Sequence, residues 1–250
     1  MVVWGLLVSQ ATANDAPERV VSMNLCTDQL AMLLAGPGQL ASVTYIATHP
    51  RASAMAEEAK NYHINRGLAE EIFLLEPDLV IAGAFSTQAT VAMLKRLGIP
   101  VVVFDPAYSM PDVRDRIAQM GDVLQRTQAA RDMIDDFDAR LRALSEEVTH
   151  SPRAVLYYAN GYTSGDKTLA GEILTAAGFE NAAIEAGYGS GGKLPLEVLA
   201  LTDPDAVITG RPYPGASRSE AILDHPVVQG LRERRESATL TDHDWVCGTP

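Results

Sequence analysis

The chain has 250 residues, 47% of them hydrophobic and 21% charged, which is long enough for one large globular domain or two small ones. Its formal net charge of −12 argues against nucleic acid or an anionic membrane surface as a partner, because either would need a basic face. Residues 2–8 form an apolar run, and Ala11-Thr12-Ala13 follows as an A-x-A site, the pattern of a secretory signal peptide. Cleavage after Ala13 (a signal peptide over residues 1–13) and export are therefore expected; a buried N-terminal strand is the other reading. The basic residues that usually precede such a run are missing, so the natural start is expected further upstream. No later apolar run is long enough to span a bilayer as a helix.

From Arg19 onward the sequence alternates strand and helix. The spans 19–23, 41–45, 79–82 and 101–104 are β-branched and apolar and read as strands; 27–34, 68–75 and 86–97 read as helices closed by glycine or proline turns. The last of these strands is wholly apolar, as expected where helices cover both faces. A helix over 111–124 leads into the longest one, 127–148. There Met133, Ile134, Phe137, Leu141, Leu144 and Val148 recur at three- and four-residue steps along one stripe. Asp136 with Arg140 and Asp138 with Arg142 are acid-before-base pairs four apart, Thr127 is the expected N-cap, and the helix would span about 33 Å. Beyond Pro152 the alternation resumes, with strands at 154–158, 206–209 and 238–240 and helices at 170–177 and 219–223. The expected fold is α/β: two lobes, each a parallel sheet flanked by helices, joined by one long α-helix. Residues 17–110 form the N-terminal lobe, 111–150 the connecting helices and 151–250 the C-terminal lobe. The chain ends in a strand and loop with no covering helix, so a further C-terminal helix is expected to be missing.

The halves repeat. Glu70 to Gly83 and Glu197 to Gly210 both read helix, acidic-Pro-Asp turn, buried strand, glycine, and each has a glutamate seven residues before its proline. A common αβ connection would account for the turn but not for the matched glutamates.

Two lobes on one long helix, in an exported acidic chain, resemble the helical-backbone (class III) periplasmic solute-binding proteins of ABC importers, the vitamin B12, ferric-siderophore and haem type. The segments carrying the resemblance are Pro17-Glu18-Arg19-Val20-Val21-Ser22-Met23-Asn24, Leu75 to Ala82, Leu97-Gly98-Ile99-Pro100-Val101, Gly171 to Gly178, Asp203 to Ile208 and Asp244-Trp245. The resemblance implies capture of a metal chelate or corrinoid between the lobes without catalysis or a resident cofactor. It also implies a monomer in the periplasm of a Gram-negative cell. Glu70 and Glu197, one per lobe, are implied to dock on the two transmembrane subunits of the permease; a solvated helix face is the plainer reading, and the neighbouring Glu71 is an alternative on the first lobe. The alternative function is a small-molecule enzyme or cofactor carrier on the same two-lobed architecture.

In parallel α/β sheets ligands sit beyond the carboxyl ends of the strands. The loops there hold Asn24, Tyr45, Phe85, Tyr108, Tyr162, Arg211, Tyr213 and Trp245, which are the candidate ligand-binding residues. Aromatic side chains suit a bulky, planar, partly apolar ligand, and Arg211, with Lys193 second, suits an anionic group. His49, His63, His150, His225 and His243 are scattered, so no bare metal site is expected; axial ligation by His49 or His243 is open beside a plain surface role. Residues 187–193 have a G-x4-G-K skeleton, but Leu194 stands where a phosphate-binding loop needs Ser or Thr, and a flexible rim loop is expected instead. Cys26 with His49 would be a nucleophile and base with nothing to orient them. Cys26 and Cys247 are the only cysteines, and a bridge between them would contribute on the order of 4–5 kcal/mol in the chain-entropy model. Two separately buried thiols are the alternative.

Overall fold

The structure is a computed structural model describing residues 16–213, 215 and 217–250. The expected signal peptide lies outside the described residues. In the first lobe β1 (Val20–Ser22), β2 (Leu40–Thr44), β3 (His63–Asn65), β4 (Leu79–Gly83) and β5 (Val101–Phe104) form a parallel sheet in the order β3-β2-β1-β4-β5. Helices α1 (Leu25–Leu34), α2 (Ala56–Ala59), α3 (Ala69–Phe73) and α4 (Gln88–Arg96) connect the strands. Val20, Val21, Val80 and Ile81 are fully buried because helices cover both faces of the central strands. β5 packs on both sides, Val102 and Phe104 against one core and Val101 against the other. It is also an edge strand, and Val103 is left 38% exposed.

Helices α5 (Met110–Val123) and α6 (Thr127–Glu147) follow as a close antiparallel pair. A Cβ on Gly121 would lie 2.4 Å from Cβ of Ala130, so glycine permits the approach of the two helices. The expected cap and one ion pair are replaced. Arg126, not Thr127, occupies the N-cap, and the Thr127 hydroxyl instead donates to Asp122 at 3.3 Å. Asp136 pairs with Arg140 at 3.6 Å as expected, but Asp138 takes Arg114 of α5 at 2.6 Å rather than Arg142. The first half of the apolar stripe packs on the core through Met133, Ile134 and Phe137; Leu144 is exposed, and Val148 at the far end lies against Gly178 of the second lobe.

The second lobe holds β6 (Arg153–Tyr157), β7 (Tyr162–Thr163), α7 (Leu169–Ala176), β8 (Glu180–Asn181), α8 (Ala182–Glu185), β9 (Gly192–Lys193), α9 (Leu196–Thr202), β10 (Ala206–Gly210), α10 (Pro226–Arg234) and β11 (Glu236–Leu240). Its parallel sheet runs β11-β10-β6-β8, and β7 pairs antiparallel with β9. The glycine-rich stretch expected as a flexible rim therefore ends in a paired strand. The helix expected over 219–223 is only a 3-10 turn, Ala221–Asp224. Pro226 disfavours helical backbone at the residue before it, and His225 is accordingly extended, with φ −62° and ψ 138°. α10 starts afresh at that proline.

The repeat extends into the hydrogen bonding. Glu76 and Asp203, each just before its proline, both adopt left-handed backbone, with φ of 48° and 40°. The Arg19 backbone N–H donates to the Asp78 carboxylate at 3.0 Å, and that of Arg153 donates to Asp205 at 2.9 Å. In return the Asp78 N–H donates to the Arg19 carbonyl at 3.2 Å, and the Asp205 N–H to the Arg153 carbonyl at 2.8 Å. The Arg19 and Arg153 guanidinium groups donate to the carbonyls of Leu75 and Thr202, which are equivalent positions.

The lobes are joined by more than the long helix. Leu169 and Ile173 of α7 pack into the core of the first lobe, and the Met110 N–H donates to Glu172 at 2.8 Å. A disulfide joins Cys26, in the first turn of α1, to Cys247 beyond β11, with Cα atoms 5.0 Å apart. Of the two readings of the cysteines the bridge is the one present, and it adds a covalent link between the lobes to that through α6.

Candidate ligand-binding cleft

In each sheet the chain first adds strands on one side of its opening strand and then on the other. The switch points fall between β1 and β4 and between β6 and β10. A cavity lies at the carboxyl end of each, where such sheets bind ligands. The first-lobe cavity, about 230 Å³, is lined by Asn24, Cys26, Gly83, Phe85, Asp105, Arg116 and Cys247 among others. The second-lobe cavity, about 420 Å³, is lined by Tyr158, Tyr162, Thr163, Arg211, Tyr213, Glu220, Asp242 and Trp245 among others. Trp245 faces one cavity while Val246 and Cys247 line the other, so the C-terminal segment runs between them.

Of the eight expected ligand-binding residues, Asn24 and Phe85 line the first cavity, and Tyr162, Arg211, Tyr213 and Trp245 the second. Asn24 also caps α1, its carboxamide oxygen accepting the Cys26 N–H at 3.0 Å. Phe85 is 82% exposed, a large apolar face held in water at the mouth. Tyr45 and Tyr108 are exposed but line neither cavity, and Lys193 is an exposed strand residue outside both.

Tyr158, Thr163, Glu220 and Asp242 line the second cavity without having been expected from sequence. Tyr158 stacks on Trp245 with ring centroids 5.0 Å apart and planes 17° from parallel. Burial pushes the Tyr158 phenol up from its ordinary pKa, and the nearby Ser164 hydroxyl offsets this only in part. The Tyr213 hydroxyl donates to Asp242, and that bond, then burial, also raises its pKa against the opposing influence of Arg51. Both phenols thus stay protonated and serve as hydrogen-bond donors. Arg51, from the first lobe, lies 3.7 Å over the Tyr213 ring and donates to the carbonyls of Pro212, at 2.8 Å, and Arg211. The His243 backbone N–H in turn donates to the Arg51 carbonyl at 2.9 Å, so Arg51 ties the first lobe to residues at the second-lobe cavity.

Among the described residues no group of three or more His, Cys, Asp and Glu could hold a metal ion. Both ring nitrogens of His243 are engaged: Nδ1 lies 2.9 Å from the Pro50 carbonyl, and Nε2 lies 3.1 Å from the Thr241 hydroxyl and 3.1 Å from Asp244. Axial ligation by His243 would break that set, while His49 is exposed. Cys26, bonded to Cys247, offers no thiolate to pair with His49.

Glu70 and Glu197 sit exposed in the first turns of α3 and α9. Glu71 accepts the Arg66 N–H at 2.7 Å, whereas Glu70 has no side-chain hydrogen bond or ion pair among the described residues. Four residues after each paired glutamate stands an exposed leucine: Leu74 is 78% exposed and Leu201 86%.

The cobalamin-binding protein of Halobacterium salinarum is 30% identical over 204 residues, covering 80% of this chain and 55% of that protein. The chain thus spans about half the length of that relative. The vitamin B12-binding protein of Vibrio vulnificus is 26% identical over 226 residues, covering 88% of this chain and 74% of its own length. Among solved structures, the periplasmic haem-binding protein of a Roseiflexus species matches with a TM-score of 0.70 at 24% identity, covering 92% of this chain and 91% of that one. The periplasmic vitamin B12-binding protein of Vibrio cholerae matches with a TM-score of 0.67 at 17% identity, covering 94% and 92% of the two chains. Both likenesses support the two-lobed fold. The model of the family described as periplasmic binding protein matches residues 20–233, nearly the whole described chain, and the chain belongs to that family.

Proposed function

We propose that the protein is the substrate-binding component of an ABC importer, exported to the periplasm, that captures cobalamin or an iron chelate such as haem or a siderophore between its lobes. It then docks on the permease as a monomer through Glu70 and Glu197. The observation that carries this reading is the pair of cavities at the two switch points, both lined in part by residues 245–247 and edged by Phe85, Tyr162, Tyr213 and Trp245. A flat ligand wedged between two aromatic-lined cavities gains contact area from rigid side chains that lose little entropy. Relatives and structural neighbours named for cobalamin and for haem support the reading.

Native mass spectrometry of protein purified from its host tests the reading by the mass of a co-purified chelate. Titration with cyanocobalamin, haemin and a panel of ferric siderophores should give one binder at sub-micromolar concentration. Turnover of a small molecule with no chelate bound would replace this reading with the enzyme alternative.

A further inference from the structure

The second-lobe cavity contains more unsatisfied polar atoms than its aromatic lining requires. The Glu220 carboxylate accepts the Tyr213 N–H at 2.9 Å through Oε1, while its Oε2 is buried without a partner. The Thr163 hydroxyl is also buried without a hydrogen-bond partner, and so is the Tyr158 hydroxyl, which has Ser164 near it but makes no bond of ordinary geometry. All three residues line the same cavity. A buried polar atom left unpaired costs free energy, and three around one cavity indicate that something else completes them.

Their chemistry specifies the group. A carboxylate oxygen only accepts, so Glu220 calls for an N–H or O–H donor. The Tyr158 and Thr163 hydroxyls can donate, and so call for an acceptor. A primary amide offers both within one planar unit. A carboxylate offers no donor and would bring a second negative charge to Glu220. Arg211 at the mouth could attract an anion, but it is exposed, where water and salt weaken its pull.

We infer that Glu220, with Thr163 and Tyr158, forms a specificity subsite that takes an uncharged amide on the ligand's periphery and rejects a carboxylate there. The inference rests on the proposed function and narrows it from metal chelates in general to amide-bearing macrocycles. Tyr158 and Thr163 flank one short turn after β6, and Glu220 reaches the same cavity from the turn before α10.

The test uses the intact chain, cyanocobalamin, which carries peripheral amides, and its monocarboxylic acids, in which one propionamide is hydrolysed. Binding is followed by Trp245 fluorescence at neutral pH. For at least one of the acids the wild-type protein is expected to bind about tenfold more weakly than the parent amide, on the scale of an unpaired buried polar group. Glu220→Gln, which keeps the shape and the acceptor for Tyr213, should bring that ratio to within about twofold. Thr163→Val should weaken the parent amide about fivefold and is a second handle if the first variant is unstable. Equal binding of amide and acids by the wild type, or an unchanged ratio in Glu220→Gln with unchanged amide affinity in Thr163→Val, overturns the inference while leaving the transport reading intact. Failure of the wild type to bind any of these corrinoids overturns the narrowing to amide-bearing ligands, and failure to bind haemin and ferric siderophores as well overturns the proposed function.

Discussion

Tyr158 and Trp245 stack face to face, 5.0 Å between ring centroids, at the inner wall of the second-lobe cavity. The two residues are far apart in sequence and are brought together by the fold. A ligand entering here meets the indole directly, so haem, a corrin or a ferric chelate should quench Trp245 emission. Trp245→Ala removes both the contact and the ring that buries Tyr158. Large aromatic anchors in interfaces cost about 2 kcal/mol or more on truncation, so affinity should fall at least about thirtyfold. Calorimetric titration of the variant checks this, and an unchanged affinity would place the ligand elsewhere.

Much of this architecture is legible in the sequence, and the limits have physical causes. The strands β1, β4 and β10 are apolar runs bounded by turns, and the paired Pro-Asp turns mark both lobes. The strand β3 escapes because His63-Ile64-Asn65 has a single apolar residue, its inner position being taken by Asn65, which donates to the Ser22 carbonyl and the Ser42 hydroxyl. By sequence Tyr158 reads as the last residue of a strand that in fact ends at Tyr157. Successive strand residues point to opposite sides, so this one-residue difference separates a core tyrosine, bonded to the Leu194 carbonyl at 3.2 Å, from a cavity residue. Thr163, Glu220 and Arg51 are ordinary polar residues in sequence. What makes them informative is which partners they lack or reach across the chain, and no spacing rule encodes that.

The exposed pairs Glu70–Leu74 and Glu197–Leu201 give the docking hypothesis a form beyond charge. A large apolar side chain held in water on each lobe, one helical turn from an exposed acid, suits a partner offering a cation beside an apolar recess, twice over. Glu70→Ala with Glu197→Ala should abolish uptake in cells and leave ligand affinity within about twofold, since neither residue lines a cavity. Leu74→Ser with Leu201→Ser should weaken permease binding in a pull-down with reconstituted transporter. Loss of ligand affinity in the glutamate variant would move these acids into the cleft and end the docking reading.

Asp28 is fully buried in α1, and its carboxylate accepts from the N–H of Thr44 at 3.1 Å and from the Thr44 hydroxyl. Burial raises its pKa to about 7, with hydrogen bonds from Ser22 and Thr44 opposing the shift. In the unfolded chain the same group titrates at about 3.9. Between these values the folded state holds the extra proton, so stability from this residue falls as pH rises from about 4 to about 7 and is level above that. Asp28→Asn has no charge to bury. Its melting temperature relative to wild type should therefore rise progressively across that window and then stay constant. Thermal melts at closely spaced pH values read this directly, and a difference that does not vary with pH would show that Asp28 keeps its ordinary pKa.

The disulfide between Cys26 and Cys247, with a sequence separation of 221, ties the first helix to the last described segment. In the chain-entropy model a loop of that size contributes on the order of 5 kcal/mol, as an upper bound that residual structure in the unfolded chain would reduce. For a chain of this size each kcal/mol moves the melting temperature by about 2–4 °C, so reduction should lower it by roughly 10 °C or more. Both cysteines also line the first-lobe cavity, beside Phe85 and Arg116. Freeing the segment 245–247 would release Trp245 from its place between the cavities, so ligand affinity should fall together with stability. Cys26→Ser with Cys247→Ser separates the crosslink from side effects of the reductant. The double variant should melt at the temperature of the reduced wild type and respond no further to reductant. A variant as stable and as tight-binding as the oxidised protein would mean that the packing of α7 and α5 at the base of the lobes, and not the crosslink, sets the cleft.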